Sequence, residues 1–215
     1  MLDFIGRIGI IGFSKCKLNV RIYQGGYMNK KKILVIIDPQ VEFINGILGT
    51  PEAEKATEKM VELLNNEADE YDAIFVTQDG HFKETYFQTR EGRNLPIFHC
   101  PFGEEGWFIE SRIANRVCKH KNFTILHKEN FGYDDWKETI MDIVNIPASS
   151  KGEELVIKII GLVTNMCVIV NALDIQTLFP EAEIIVDAPC CAGTTPEAHK
   201  AALMVMESCQ IKVNY

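Results

Sequence analysis

Six short runs of apolar, β-rich residues, most of them followed by a stretch with helical spacing, constrain this chain more than any other feature. ILVIID (33–38) is apolar at successive positions, the pattern of a strand buried on both faces. AIFVT (73–77), FTILH (123–127), LVIKIIG (155–161), EIIVD (183–187) and IKV (211–213) continue the series. Helical patterns occupy residues 51–68 and, more roughly, 105–118, 134–145, 166–178 and 196–208. Pro51 and Pro196 stand at first helical positions, and Thr195 is an N-cap type directly before Pro196. Such alternation predicts a parallel sheet covered by helices on both faces. Sites in these sheets form at the carboxyl ends of strands, so residues that end a run matter most.

The length of 215 residues suits one α/β domain. A net charge of −8 argues against nucleic acid or an anionic membrane as the main partner. The seven cysteines are scattered without metal or disulfide spacing, which predicts reduced thiols and a cytoplasmic protein. No apolar run reaches the roughly 18 residues that a membrane helix needs. Met28 opens MNKKKILVIID like the start of a domain, so residues 28–215 read as that domain. Residues 1–27 read as an upstream, poorly packed extension that lacks the features of a signal peptide.

Three residues at run ends can carry chemistry together. Asp38 closes the first run, in DPQVEF; Lys128 closes the third, in HKENFGYD; and Cys167 lies six residues beyond Gly161, at the start of a helical pattern. Taken singly, each has a plain structural reading: a turn cap, a surface charge, a core thiol. Taken together, they form a nucleophile-and-base set without histidine. A helix N-terminus or a lysine can lower a thiol pKa from about 8.5, a carboxylate can take the thiol proton, and the backbone N–H groups of Val163 and Cys167 can receive an oxyanion. A second constellation lies in the long segment 80–104 and its approach. TQDGH supplies Asp79 and His81, and LPIFHC supplies His99, a donor set suited to zinc, iron or manganese. The plain alternative is that these are turn and surface residues.

Residues 33–215 resemble the isochorismatase-like cysteine hydrolases, most of all their nicotinamidase branch. The resemblance rests on IIDPQVEF, the DGH and HC segments, HKENFGY and GLVTNMCV, which follow one another in the family's order. It implies a three-layer α/β/α sandwich with a six-stranded, mostly parallel sheet. It implies Asp38, Lys128 and Cys167 as a catalytic triad, and a cis peptide at Leu162–Val163 before the oxyanion-hole residue. It implies Asp79, His81 and His99 as ligands of a divalent metal, zinc first, and Phe43 as a ring packed on the substrate. A small amide substrate and a homo-oligomer follow as expectations, with nicotinamide the leading candidate.

Departures from the family pattern bear on the substrate. Leu95-Pro96 stands where a Trp-Pro that lines the substrate ring is usual, which puts Leu95 in the substrate-binding set. Gly80 replaces a tryptophan after the metal aspartate, and Asn165 replaces an acid two residues before Cys167. Trp107 in GEEGWF is a neighbouring ring that could take the missing place. Three rivals stay open: an amidohydrolase of a carbamoyl or ureido compound, a non-catalytic ligand-binding member, and a thiol redox protein built on Cys190-Cys191. The last pair reads as structural, at a strand end and loop.

Overall fold

The computed structural model describes residues 30–215, so the extension expected over residues 1–27 lies outside the described residues. Six strands, β1 (Lys31–Ile37), β2 (Ala73–Asp79), β3 (Phe123–Lys128), β4 (Leu155–Leu162), β5 (Glu183–Ala192) and β6 (Lys212–Asn214), form one sheet in the order β3-β2-β1-β4-β5-β6. Every neighbouring pair is parallel. Eight helices accompany them among the described residues: α1 (Val41–Ile44), α2 (Pro51–Glu67), α3 (Lys83–Tyr86), α4 (Arg90–Asn94), α5 (Ser111–Val117), α6 (Trp136–Val144), α7 (Ile169–Leu178) and α8 (Pro196–Ser208).

The apolar runs are continuous because alternate residues serve two cores. Ile33, Val35 and Ile37 point to one face, against Trp136 and Ile140 of α6, Ile175 of α7 and Met206 of α8. Leu34 and Ile36 point to the other, against Met60 and Leu64 of α2 and Ile113 of α5. Both faces are dry, and the three layers follow from that. β3 is an edge strand and keeps Phe123 and Ile125 partly exposed.

Three local readings need correction. The helix expected at 105–118 is a short turn at Glu105–Trp107 followed by α5. The break occurs where Ile109 bridges to Gln40 and where the Glu110 carboxylate accepts from the N–H groups of Arg112 and Ile113, capping α5. The helix expected at 166–178 begins as a π-type turn over Thr164–Val168, with Val168 N donating to Val163 O at 3.3 Å, before α7 proper. The segment DAPCC continues β5 and is not a loop. Pairing jumps from Ile159–Val186 to Gly161–Cys191, so the strand bulges around Pro189. Cys190 and Cys191 therefore face opposite cores as free thiols.

The chain runs outward from β1 to β3 and then returns to β4 beside β1. The β1–β4 boundary is thus the topological switch point, where a crevice opens at the carboxyl ends. Gly161 permits the close approach there. Its φ is +125°, and a Cβ would stand 2.1 Å from the Ile37 carbonyl oxygen.

Candidate active site

Each of the three run-end residues reaches the switch point from a different strand. The backbone turns at Asp38 with φ +43°, a left-handed conformation that aspartate tolerates better than most residues. Its carboxylate is fully buried. Thr77 fixes it: the hydroxyl donates to Oδ1 at 2.7 Å and accepts from the Asp38 N–H at 3.0 Å. Oδ2 lies 2.7 Å from Lys128 Nζ but receives no well-directed hydrogen bond, which leaves a lone pair for another donor.

Lys128 comes from β3, paired in register with Asp79 of β2. Its buried ammonium lies 3.4 Å from Asp79 Oδ1, donates to Asn130 O at 2.9 Å and stands 3.6 Å from Cys167 Sγ. Asp38, Lys128 and Cys167 are therefore brought together as expected. The peptide Leu162–Val163 is cis.

One expectation about the thiol reverses. Burial pushes the Cys167 thiol well above its ordinary value; Lys128 opposes this, while Asp38 and Asp79 add to it. Burial likewise raises the Asp38 carboxyl against the pull of Lys128. Burial alone would lower the Lys128 ammonium, but Asp38, Cys167 and Asp79 raise it well above its ordinary value. Burial thus opposes charge on both the thiol and the carboxyl, and Lys128 opposes burial at both.

Asp79, His81 and His99 also converge, with their donor atoms within 4.8 Å of one another and all three side chains buried. His81 Nε2 is 3.1 Å and His99 Nε2 3.5 Å from Asp79 Oδ2. His99 Nδ1 sits 2.9 Å from Ile97 O, a partner that as acceptor leaves Nε2 free to face the cluster. Burial would raise the Asp79 carboxyl, but Lys128 and both imidazoles hold it well below the usual range. Two imidazole nitrogens and a carboxylate fit a zinc, iron or manganese ion.

Several residues of the site carry no motif. Glu91, on α4, places Oε1 3.5 Å from His99 Nε2 and 3.9 Å from His81 Nε2, a candidate fourth donor. Gln40, which does belong to the IIDPQVEF segment, ties the β1 loop to Asp79: its Nε2 donates to Asp79 O and its Oε1 accepts from Asp79 N, at 2.8 and 2.7 Å. Asn171, fully buried on α7, uses all its hydrogen-bonding capacity. Its Nδ2 donates to Cys167 O at 2.7 Å and Phe131 O at 2.9 Å; its Oδ1 accepts from Trp136 Nε1 and Tyr133 N at 2.8 and 3.0 Å. It therefore joins the Cys167 turn to the loop after Lys128. Only its position four residues beyond Cys167, one turn along a helix, could have pointed to it. Asn171→Leu strands two donors and two acceptors, and we expect a loss of about 3 kcal/mol in urea unfolding.

A cavity of about 400 Å³ opens over this ground, with Cys167, Val163, Asp79 and His99 in its wall. Phe43 and Leu95 both line it, and the Phe43 ring meets His99 edge-on at 5.8 Å between centroids. Trp107 does not line it, contrary to expectation. It stacks on His127 at 5.6 Å and, with Phe102, fills the space beside Gly80, where a Cβ would meet Phe102 at 2.4 Å. The Asn165 side chain accepts from Thr194 N at 2.9 Å and ties the Cys167 turn to the β5–α8 loop.

Residues 32–213 match the family model described as the isochorismatase domain. The structure is similar to that of a nicotinamidase from Bacillus subtilis, 25% identical, with a TM-score of 0.69 over 86% of this chain and 99% of that chain. A pyrazinamidase of Pyrococcus horikoshii in complex with zinc is 22% identical, with a TM-score of 0.67 over 86% of this chain and 98% of that one. An N-carbamoylsarcosine amidase from Thermoplasma acidophilum is also 22% identical, with a TM-score of 0.65 over 86% of this chain and 95% of that one. At those identities the last two speak to the fold alone. No curated protein sequence matches the chain significantly.

Proposed function

The chain belongs to the isochorismatase family of hydrolases, and we propose that it is a cysteine-dependent amidohydrolase of small carboxamides, with nicotinamide, hydrolysed to nicotinate and ammonia, as the leading candidate substrate. One observation carries this reading. The buried Asp38 carboxylate and Cys167 thiol stand 2.7 and 3.6 Å from the shared Lys128 Nζ, and Cys167 lines an apolar cavity.

The proposed reaction uses each group once per half-cycle. Cys167 Sγ attacks the carboxamide carbon while its proton passes to Asp38. The carbonyl electrons move to oxygen, where the N–H groups of Val163 and Cys167 stabilise them; such donors are typically worth about 3–4 kcal/mol each. Collapse breaks the C–N bond, and ammonia leaves with the proton from Asp38. Water then attacks the thioester, Asp38 accepts its proton, and the C–S bond breaks to release the acid and restore the thiol. Lys128 keeps a positive charge beside the carboxylate and the sulfur throughout. Asp79, His81 and His99, with Glu91 beside them, would hold a divalent ion, and such an ion would supply Lewis-acid chemistry there. Phe43 packs on the substrate ring. A cytoplasmic homo-oligomer completes the proposal; among the described residues no helix is long and apolar enough to cross a membrane.

The test is ammonia release by purified protein on an amide panel led by nicotinamide, with carbamoyl and ureido compounds included. Turnover confined to the latter moves the assignment to that rival, and absence of all turnover with a bound ligand leaves the non-catalytic one. Dialysis against a chelator should lower turnover about tenfold or more, with zinc restoring it. Elemental analysis of Asp79→Asn should find less bound metal than in the wild type.

A further inference from the structure

We infer that the site prefers neutral carboxamides whose apolar body extends beyond a single ring, with Leu95 as the residue that makes room for the extension. The inference rests on the amidase reading and deepens it: nicotinamide becomes the smallest member of the substrate class. A cavity of about 400 Å³ lies in the range, roughly 300–1,000 Å³, that encloses drug-sized ligands. A lone pyridine ring with its amide leaves much of that space unfilled.

The lining states what fills the remainder. Beyond Phe43, the wall continues through Ile47, Leu48, Leu95, Phe131 and Met166. Ile47, 64% exposed, carries the apolar surface out to the mouth. Among the described residues no lysine or arginine lines the cavity, while Asp79 and Glu91 do. The nearest cation, Lys128, is already in contact with Asp38 and Asp79. Beyond the Asp79, His81 and His99 group, an acyl group bearing its own carboxylate therefore meets Glu91 and, among the described residues, no lysine or arginine in the cavity wall. Burying an apolar extension raises binding by about fourfold per methylene. Trp107 leaves this wall open because its ring is held over Gly80 and His127. Leu95, half-buried on the segment after α4, is the position where a larger side chain would close it.

The experiment compares kcat/KM for nicotinamide, 5-propylnicotinamide, 6-propylnicotinamide and N-carbamoylglycine in the wild type, Leu95→Trp and Ile47→Ser. At least one propyl amide should exceed nicotinamide by tenfold or more in the wild type, with N-carbamoylglycine the poorest. Leu95→Trp should reduce the propyl-to-nicotinamide ratio by tenfold or more. Ile47→Ser, at an exposed position that cannot disturb the core, should reduce the same ratio severalfold. Nicotinamide outrunning both propyl amides, or a ratio unmoved by either variant, overturns the inference and leaves the amidase reading standing. Faster turnover of N-carbamoylglycine overturns it as well. No turnover of any compound overturns both.

Discussion

Cys167→Ala lowers ammonia release by about four to six orders of magnitude, to the level that binding and oxyanion stabilisation alone sustain. The size of the effect follows from the mechanism, because without sulfur no thioester forms and the remaining groups have no nucleophile to activate. The substitution is small and its site buried, so the protein should remain folded with a melting transition close to wild type. The activity loss then reports chemistry. Turnover near that of the wild type would assign the nucleophile elsewhere. Cys190 and Cys191 are not placed to substitute: both lie in β5, facing the two cores, and burial pushes the Cys190 thiol up to about 12.

Lys128→Met has the second-largest effect, and it acts on stability as well as rate. The ammonium faces Asp38 at 2.7 Å and Asp79 at 3.4 Å. Removing it leaves two buried carboxylates without that cation, and breaking such a pair costs about 3–5 kcal/mol. The sign with pH is definite. Burial already raises the Asp38 carboxyl, and Lys128 is the leading group that lowers it, so the variant's carboxyl rises further. Destabilisation should be greatest at pH above that raised value and shrink as the pH falls through it, because a protonated Asp38 no longer needs a partner. The acid limb of kcat/KM should move upward for the same reason, since the base must be ionised. Chemical denaturation and pH–rate profiles of the metal-loaded proteins measure both. In the wild type the linkage of Lys128 itself runs the other way. Its folded value is raised, so its contribution is fully present below the unfolded lysine value and is lost only as pH climbs through the folded one.

What the amino-acid sequence discloses here depends on whether the determining interaction is local. β1 and β2 are legible because burial on both faces writes an uninterrupted apolar run. Asp38, Lys128 and Cys167 are legible because each sits just past such a run, and parallel strands bring those ends together. The end of β5 is not, since Pro189 looks like a loop residue and only the neighbouring Gly161 turn makes a bulged strand of it. The break before α5 depends on Glu110 capping the helix and on Glu110 N donating to Pro39 O, far back in the chain. Thr77, Glu91 and Asn171 act through partners distant in sequence or through burial, and only the spacing of Asn171 from Cys167 points to any of them. The thiol's direction of shift was misread because helix end and lysine are visible in a sequence while the desolvation that outweighs them is not.

The central claim is that Cys167 carries the acyl group between the two halves of the reaction. Its most direct test is mass spectrometry of enzyme quenched in acid during turnover of nicotinamide or a propyl amide. The peptide containing Cys167 should gain the mass of the acyl group in place of the thiol hydrogen, while the peptide containing Cys190 and Cys191 stays unmodified. An active enzyme whose Cys167 peptide stays unmodified under conditions that slow deacylation, or an acyl group found on another residue, contradicts the account.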